Sequence, residues 1–387
     1  MKDIINIKSN SNEEKINKKE INENEGSIES FSDISGNLNN EQNLYILIIK
    51  LKIYLYKMNK ILIILLFSLS ICNAELDIII FQQFQKFITK FNKKYSSMNE
   101  YLARYEVFKQ NVMETFSNEK TTYITGITKF SDLTKQEFKR IYLNLKYDAM
   151  AMSNFNPIYA KSTNAAPSSW DWSEHGRVCR VKDQGSCGSC WAFATLGNLE
   201  GLYAGMKGEC KTFSEQQLID CDTSDSGCNG GLMEYAFAYL KKIGCINLEE
   251  DYPYKGIKST CKTNYDKCID MKVTGYKKLG SSYSTWSPVD EDEIKEFLYG
   301  TGPLAVALNA NPLQTYVSGI LDVTTAQCPS SGINHAVLLV GYGTAELPYW
   351  IVKNSWGQSW GEKGYFRIRR GNGTCGINCY ITTATVS

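Results

Sequence analysis

Apolar and polar positions follow different rules in successive stretches of this chain. Residues 1–43 are rich in Asn, Lys, Glu and Ser and hold too little apolar surface to bury a core. An apolar stretch follows over 44–72, broken by Lys50, Lys52, Lys57 and Lys60. Further on, Glu100, Arg104, Phe108 and Asn111 recur at spacings of four, four and three, which predicts one face of a helix. Tyr101, Tyr105 and Phe108 give that helix an apolar stripe. A second, buried helix is predicted from about Cys190, because Ala192, Leu196, Leu199 and Tyr203 follow a 4-3-4 spacing. The last third changes period. His335-Ala-Val-Leu-Leu-Val, Tyr349-Trp-Ile-Val and Tyr365-Phe-Arg-Ile-Arg read as short strands between Gly-rich turns. A helical half joined to a β half predicts an α+β domain with a cleft between the halves.

Length and composition narrow the picture. The 387 residues suffice for two or three domains, and 42 basic against 41 acidic side chains leave a formal charge of +1. That balance excludes the electrostatic footprint of a nucleic-acid binder. Thirteen cysteines against two histidines fit an oxidising compartment. The odd total requires an unpaired cysteine or one in a removed segment. Read from Met58, the chain offers Lys60, about a dozen largely apolar residues and a small-residue end at Cys72-Asn-Ala74. This predicts a signal peptide over 58–74 and a place in the secretory pathway: lysosome, vacuole or cell exterior. The run falls short of the roughly 20 apolar residues of a membrane span, although a signal anchor over 44–72 is the alternative. Residues 1–57 are then a polar extension, either disordered or ahead of a true start at Met58.

Charge and cysteine usage break together after the leader. Residues 75–165 carry a basic excess of about four and no cysteine, whereas 166–387 carry an acidic excess of about three and every cysteine beyond Cys72. The break falls in Ala160-Lys-Ser-Thr-Asn-Ala-Ala-Pro-Ser-Ser169, a small and polar stretch that reads as an exposed linker.

The candidate chemistry lies in the second part. Cys190 stands where the glycine-rich Gly185-Ser-Cys-Gly-Ser turn enters a helix, so backbone N–H groups and the helix dipole should ease ionisation of its thiol. A thiolate nucleophile needs a base and a group that orients the base. His175, in the turn Ser-Glu-His-Gly, reads as a surface residue. His335 opens an apolar strand, and alone it reads as a satisfied core histidine. Paired with Cys190 and with Asn354 in Lys353-Asn-Ser-Trp-Gly, it reads as the base, with Asn354 accepting its Nδ1 proton. Trp356 and Trp360 would shield that bond from water. Gln184 would aim its amide N–H at an oxyanion beside the Cys190 backbone N–H.

Gln184-Gly-Ser-Cys-Gly-Ser-Cys-Trp-Ala-Phe193, Asn334-His-Ala336 and Asn354-Ser-Trp-Gly-Gln-Ser-Trp-Gly361 together resemble the three active-site blocks of papain-like cysteine proteases of the cathepsin L/F type. Ser214-Glu-Gln-Gln-Leu-Ile-Asp-Cys221, Gly227-Cys-Asn-Gly-Gly231 and Asp251-Tyr-Pro-Tyr254 resemble the blocks between them. Glu100, Arg104, Phe108 and Asn111, then Gly126-Ile-Thr-Lys-Phe-Ser-Asp132, resemble that family's propeptide; Thr115 and Glu119 depart from its pattern. The resemblance implies a papain-like two-lobed fold, with a helical left lobe and a β-barrel-like right lobe, behind a helical inhibitory propeptide over 75–165. The peptidase domain would be 166–387. It implies a cysteine endopeptidase made as an acid-activated proenzyme, cleaved near Ala165–Pro167. Its partners would be protein and peptide substrates, its own propeptide and cystatin-like inhibitors; it would act as a monomer with no cofactor or metal.

The same resemblance implies disulfides Cys187–Cys228, Cys221–Cys261 and Cys328–Cys375, with Cys190 free. Cys179, Cys210, Cys245, Cys268 and Cys379 are left for two further bridges and one free thiol. The resemblance also implies Gly188, Gly230, Gly231, Asn334, Trp356 and Trp360 as substrate-binding residues. The pocket for the substrate's P2 side chain maps to Leu232, Met233, Ala307 and Ala336, with Tyr380 as floor. Apolar walls without a carboxylate at the floor imply Leu, Val or Phe at P2 and poor acceptance of Arg. No adjacent histidine pair exists for a carboxydipeptidase-type loop. Asn372-Gly-Thr is the sequon after the leader, so Asn372 is a candidate glycosylation site. Two other classes compete: a catalytically silent peptide- or protease-binding homologue, and a metal or dithiol redox site at Cys187-Gly-Ser-Cys190. The first predicts loss of one of the four site residues. The second lacks the further Cys or His pair that would complete a zinc site.

Overall fold

The computed structural model describes residues 40–117, 122–146, 165–279 and 288–387. The chain divides into units Met1–Asp77 and Ile78–Ser387. Helix α1 (Asn40–Lys90) runs through the predicted leader, and its apolar side chains from Leu44 to Leu66 that are described lie exposed. Among the described residues no helix is long and apolar enough to cross a membrane. The start of the linker at Ala160, Glu119 and most of the polar extension lie outside the described residues.

In the second unit, helix α2 (Met98–Ser117) packs its predicted stripe on the end of α1. Phe108, Val112, Phe84 and Phe87 form the buried centre, rimmed by Tyr101 and Tyr105. The polar face of α2 braces the turn at Ser131–Leu133 and the helix beyond it. Arg104 donates to the Asp132 carbonyl at 3.1 Å and to Glu137 at 2.8 Å, and Asn111 donates to the Ser131 and Leu133 carbonyls. Strand β1 (Tyr123–Thr125) leads to helix α3 (Lys135–Tyr142), which opens on a reciprocal Thr134–Glu137 capping box.

The part from residue 165 onward supplies the remaining elements in chain order: β2 (Trp170–Asp171), α4 (Cys190–Lys207), α5 (Glu215–Cys221), α6 (Met233–Ile243), β3 (Val273–Leu279), α7 (Glu291–Thr301), β4 (Leu304–Leu308), β5 (Tyr316–Leu321), β6 (His335–Thr344), β7 (Pro348–Lys353), β8 (Tyr365–Arg369) and β9 (Ile381–Val386). Left-handed glycines end α4 and α6, Gly208 at φ 74° and Gly244 at φ 62°.

The strands run β1-β5-β8-β7-β6-β4-β9-β3, with β2 added on β6. The strands therefore form a sheet that does not close into a barrel, within the α+β architecture that the resemblance implied. Its end strands β1 and β3 find no partner in each other, and β1 is lent by the propeptide segment.

Strand alternation divides the core. Leu304, Val306 and Leu308 of β4 enter one cluster with Val337, Leu339 and Trp350. Ala305 and Ala307 of β4, with Ala336 of β6, face the helices in the other. Those small residues let α4 lie close on the sheet; a Cβ on Gly197 would stand 3.2 Å from Leu338. Five disulfides staple this part: Cys179–Cys210, Cys187–Cys228, Cys221–Cys261, Cys245–Cys268 and Cys328–Cys375. Cys190 and Cys379 are free and buried.

Candidate active site

Cys190 is the first residue of α4, His335 the first of β6, and Asn354 follows the last residue of β7. The fold thus brings helix start and strand ends to one place; backbone groups of Ala336 and Trp191 act on the Cys190 sulfur. Upstream, the buried Lys182 ammonium pairs with Glu200 of α4 at 2.8 Å and Glu215 of α5 at 2.7 Å. That buried cluster anchors the loop that carries Gln184.

His335 meets Asn354 through Nε2 at 2.9 Å, not through Nδ1 as the sequence pattern suggests. The geometry settles the tautomer. Asn354 Oδ1 also accepts from the Ser355 backbone N–H at 2.8 Å, so the atom facing His335 is an oxygen and Nε2 must carry the proton. Nδ1 makes no hydrogen bond of good geometry among the described residues, although the Tyr142 backbone lies near enough to the ring to act on it. Trp356 stacks on the imidazole with centroids 4.8 Å apart, and Trp360 meets Trp356 edge-on at 4.7 Å. All three rings are buried.

Electrostatics departs from the sequence expectation as well. Burial pushes the Cys190 thiol up to about 11 and the His335 imidazole down to about 4. Desolvation outweighs the helix N-terminus here, and both groups are held neutral.

The segment ahead of residue 147 contributes to this burial. Gln184 Nε2 donates to the Cys187 carbonyl at 2.9 Å and to the Tyr142 carbonyl at 3.3 Å, while its Oε1 accepts from Ser355 Oγ at 2.7 Å. Leu145 N–H donates to the Asn334 carbonyl at 3.0 Å, and Lys146 N–H to the Gly231 carbonyl at 3.2 Å. Leu145 and Gly231 pair in parallel. Gly188 and Gly230 admit this segment: Cβ atoms there would collide with Asn144. Phe130, Phe138 and Tyr142 stand against Trp356, with Phe130 at 5.0 Å. An ion pair between Lys129 and Asp183 at 2.7 Å joins propeptide to peptidase. None of the residues from Tyr142 to Lys146 is among those singled out from the sequence.

Leu232, Met233, Ala307, Ala336 and Tyr380 share one apolar cluster with Cys190, and Leu145 packs against it. At the position expected to form the pocket floor, the Tyr380 hydroxyl donates to buried Glu234. Asn372 is exposed, on a turn after β8. His175 is exposed and stacked on Trp170 at 3.8 Å. Among the described residues no three His, Cys, Asp or Glu side chains converge on a metal position.

With this geometry in place, similarity to known proteins becomes informative. Residues 166–385 match the papain family cysteine proteases, and residues 84–138 match the cathepsin propeptide inhibitor domain. Cathepsin F of Drosophila melanogaster is 41% identical over 315 residues; the match spans 79% of this chain but half the length of that protein. Cysteine proteinase 15A of Pisum sativum is 43% identical, covering 79% of this chain and 86% of its own. Digestive procathepsin L 3 from Tenebrio molitor larval midgut superposes with a TM-score of 0.70 at 35% identity, over 79% of this chain and 99% of that one.

Proposed function

This chain belongs to the papain family of cysteine proteases and carries a cathepsin-type inhibitory propeptide, and we propose that Cys190, His335, Asn354 and Gln184 perform its catalysis. The Cys190 proton passes to His335 Nδ1 as Sγ attacks the scissile carbonyl carbon. The oxyanion is held by Gln184 Nε2–H and the Cys190 backbone N–H. Collapse transfers the His335 proton to the leaving amine and leaves a thioester. Water, deprotonated by His335, then releases the acid and restores the thiol. Asn354 keeps the Nε2–H tautomer, and Trp356 and Trp360 keep water from that bond.

The observation that carries this reading is the Tyr142 carbonyl, which accepts from Gln184 where a substrate oxygen would sit. The parallel pairing of Leu145 with Gly231 supports a propeptide that occupies the substrate cleft through its backbone. On this reading acid releases it. The Lys129–Asp183 pair at 2.7 Å is one charged contact between the two parts, and the general attraction between basic propeptide and acidic peptidase weakens as carboxylates protonate. Cleavage near Ala165–Pro167 follows, at the end of a stretch, 147–164, that lies outside the described residues. The pocket of Leu232, Met233, Ala307, Ala336 and Tyr380 takes a hydrophobic P2 side chain, as Leu145 suggests. A leader over 58–74 sends the proenzyme into the secretory pathway, consistent with five disulfides. Asn372 would carry a glycan, and cystatin-like proteins would inhibit the mature monomer.

Mass spectrometry after a shift to about pH 4–5 with thiol and an epoxide inhibitor tests the scheme. The expected product begins near Ala165–Pro167 with one inhibitor on Cys190, and Cys190→Ala abolishes both labelling and turnover. Hydrolysis retained by Cys190→Ala would overturn the assignment.

A further inference from the structure

Glu234 is the second residue of α6, directly after the pocket residues Leu232 and Met233. It is 1% exposed. Its Oε2 accepts the Tyr380 hydroxyl, while Oε1 has no partner among the described residues. Across the same ring, Lys278 of β3 places its ammonium 4.8 Å from the Tyr380 centroid. β3 pairs with β9, Lys278 lying opposite Thr382, so the lysine is fixed beside the strand that Tyr380 precedes. The Tyr380 ring is thus held at its hydroxyl end by α6 and over one face by β3.

A buried carboxyl with one oxygen unpaired is a costly way to fill space, and a leucine of similar size would pack without that penalty. Its charged and titratable surroundings are Lys278 and Tyr276 of β3, Tyr380 itself and Asp225. The Lys278 charge favours the ionised carboxylate, yet burial outweighs it and pushes the carboxyl up to about 7. Charge pairing therefore does not account for its place in the core. What the carboxyl does hold is the floor of the pocket.

We propose that Glu234 is a specificity-positioning residue: by accepting the Tyr380 hydroxyl it fixes that ring as a rigid, shallow floor, so that branched aliphatic P2 side chains seat and aromatic ones are disfavoured. The inference rests on the P2-pocket reading above and narrows its preference from Leu, Val or Phe to Leu and Val. A freed Tyr380 ring would swing away and open depth for Phe.

The test uses the full-length proenzyme, acid-activated, with matched peptide substrates bearing Leu, Val or Phe at P2. Tyr380→Phe, which removes a single hydroxyl, and Glu234→Ala are each expected to raise the Phe/Leu ratio of kcat/KM by about five- to tenfold, the worth of one buried hydrogen bond. The double variant is expected to gain no more than either single one, because both remove the same bond. Glu234→Gln, whose amide oxygen still accepts, is expected to keep the native ratio within about twofold. If Glu234→Ala fails to fold, Tyr380→Phe and Glu234→Gln still decide. Unchanged ratios in Tyr380→Phe, or fully additive effects, overturn the proposal. Met233→Ala separates the two levels: a changed P2 ratio there leaves the pocket standing and removes only the role of Glu234, whereas indifference of all variants removes the pocket with it.

Discussion

The propeptide and the peptidase solve the stability problem in opposite ways. Residues 75–165 hold no cysteine. Their core is a small aromatic cluster, Phe84, Phe87 and Phe108, braced by part-exposed ion pairs such as Arg104–Glu137 and Lys93–Asp132. The peptidase has two large cores divided by one sheet and five disulfides. The difference suits a part that must come away and a part that must persist in an oxidising, proteolytic setting. It also locates the coupling. The propeptide reaches the site through Phe130, Phe138 and Tyr142 on Trp356, and Trp356 in turn stacks on His335.

The sharpest way to test that contrast is thiol reactivity, where the largest effect is expected. With its thiol held near 11 by burial, Cys190 in the proenzyme should alkylate at neutral pH at least about 100-fold more slowly than in the mature enzyme. The sign follows from desolvation: removing the propeptide rehydrates the site, so the thiol falls from about 11 and His335 rises from about 4. Rates of iodoacetamide labelling against pH in the two forms measure this, and equal rates would break it.

Removing a staple comes next. Replacing Cys187 and Cys228 by Ser is expected to destabilise the peptidase by about 4 kcal/mol on loop-entropy grounds, read as a fall in the denaturant midpoint. Phe130→Ala should cost the propeptide side of the interface about 3 kcal/mol. Added in trans, that variant propeptide should inhibit the mature enzyme about 100-fold less well, with peptidase stability unchanged. Thr134→Ala, which removes the α3 cap, should cost about 1 kcal/mol in the same inhibition assay.

Glu137 sharpens the pH side of the comparison. The Arg104 guanidinium pulls its carboxyl down to about 2. A depressed carboxyl contributes its full stability above the ordinary carboxylate range and loses it progressively as pH falls from there to about 2. On the proposed scheme of acid activation, the α2–α3 brace should survive at about pH 4–5, and release should begin at the interface. Circular dichroism of the propeptide helices in a Cys190→Ala proenzyme, against binding at the same pH, should show helix retained after affinity is lost.

Much of this is legible in the chain itself. The 4-3-4 spacing after Cys190, the strand run after His335 and the Glu100–Asn111 helix face correspond to α4, β6 and α2. Local periodicity writes such elements directly into the chain. The family blocks are legible for a related reason: glycines and tryptophans around a site are needed at fixed local spacings. Other features required the assembled molecule. Which imidazole nitrogen carries the proton depends on a backbone N–H of Ser355 that fixes the Asn354 amide. Whether the Cys190 thiol ionises depends on how deeply the assembled chain buries it, whereas the helix dipole alone would give the opposite sign. The hydroxyl of Tyr380 finds Glu234 across 146 positions of sequence. Periodicity reports which face of an element is buried, but desolvation and hydrogen-bond partners are set by whatever distant segment packs on that face, and only the folded chain supplies it.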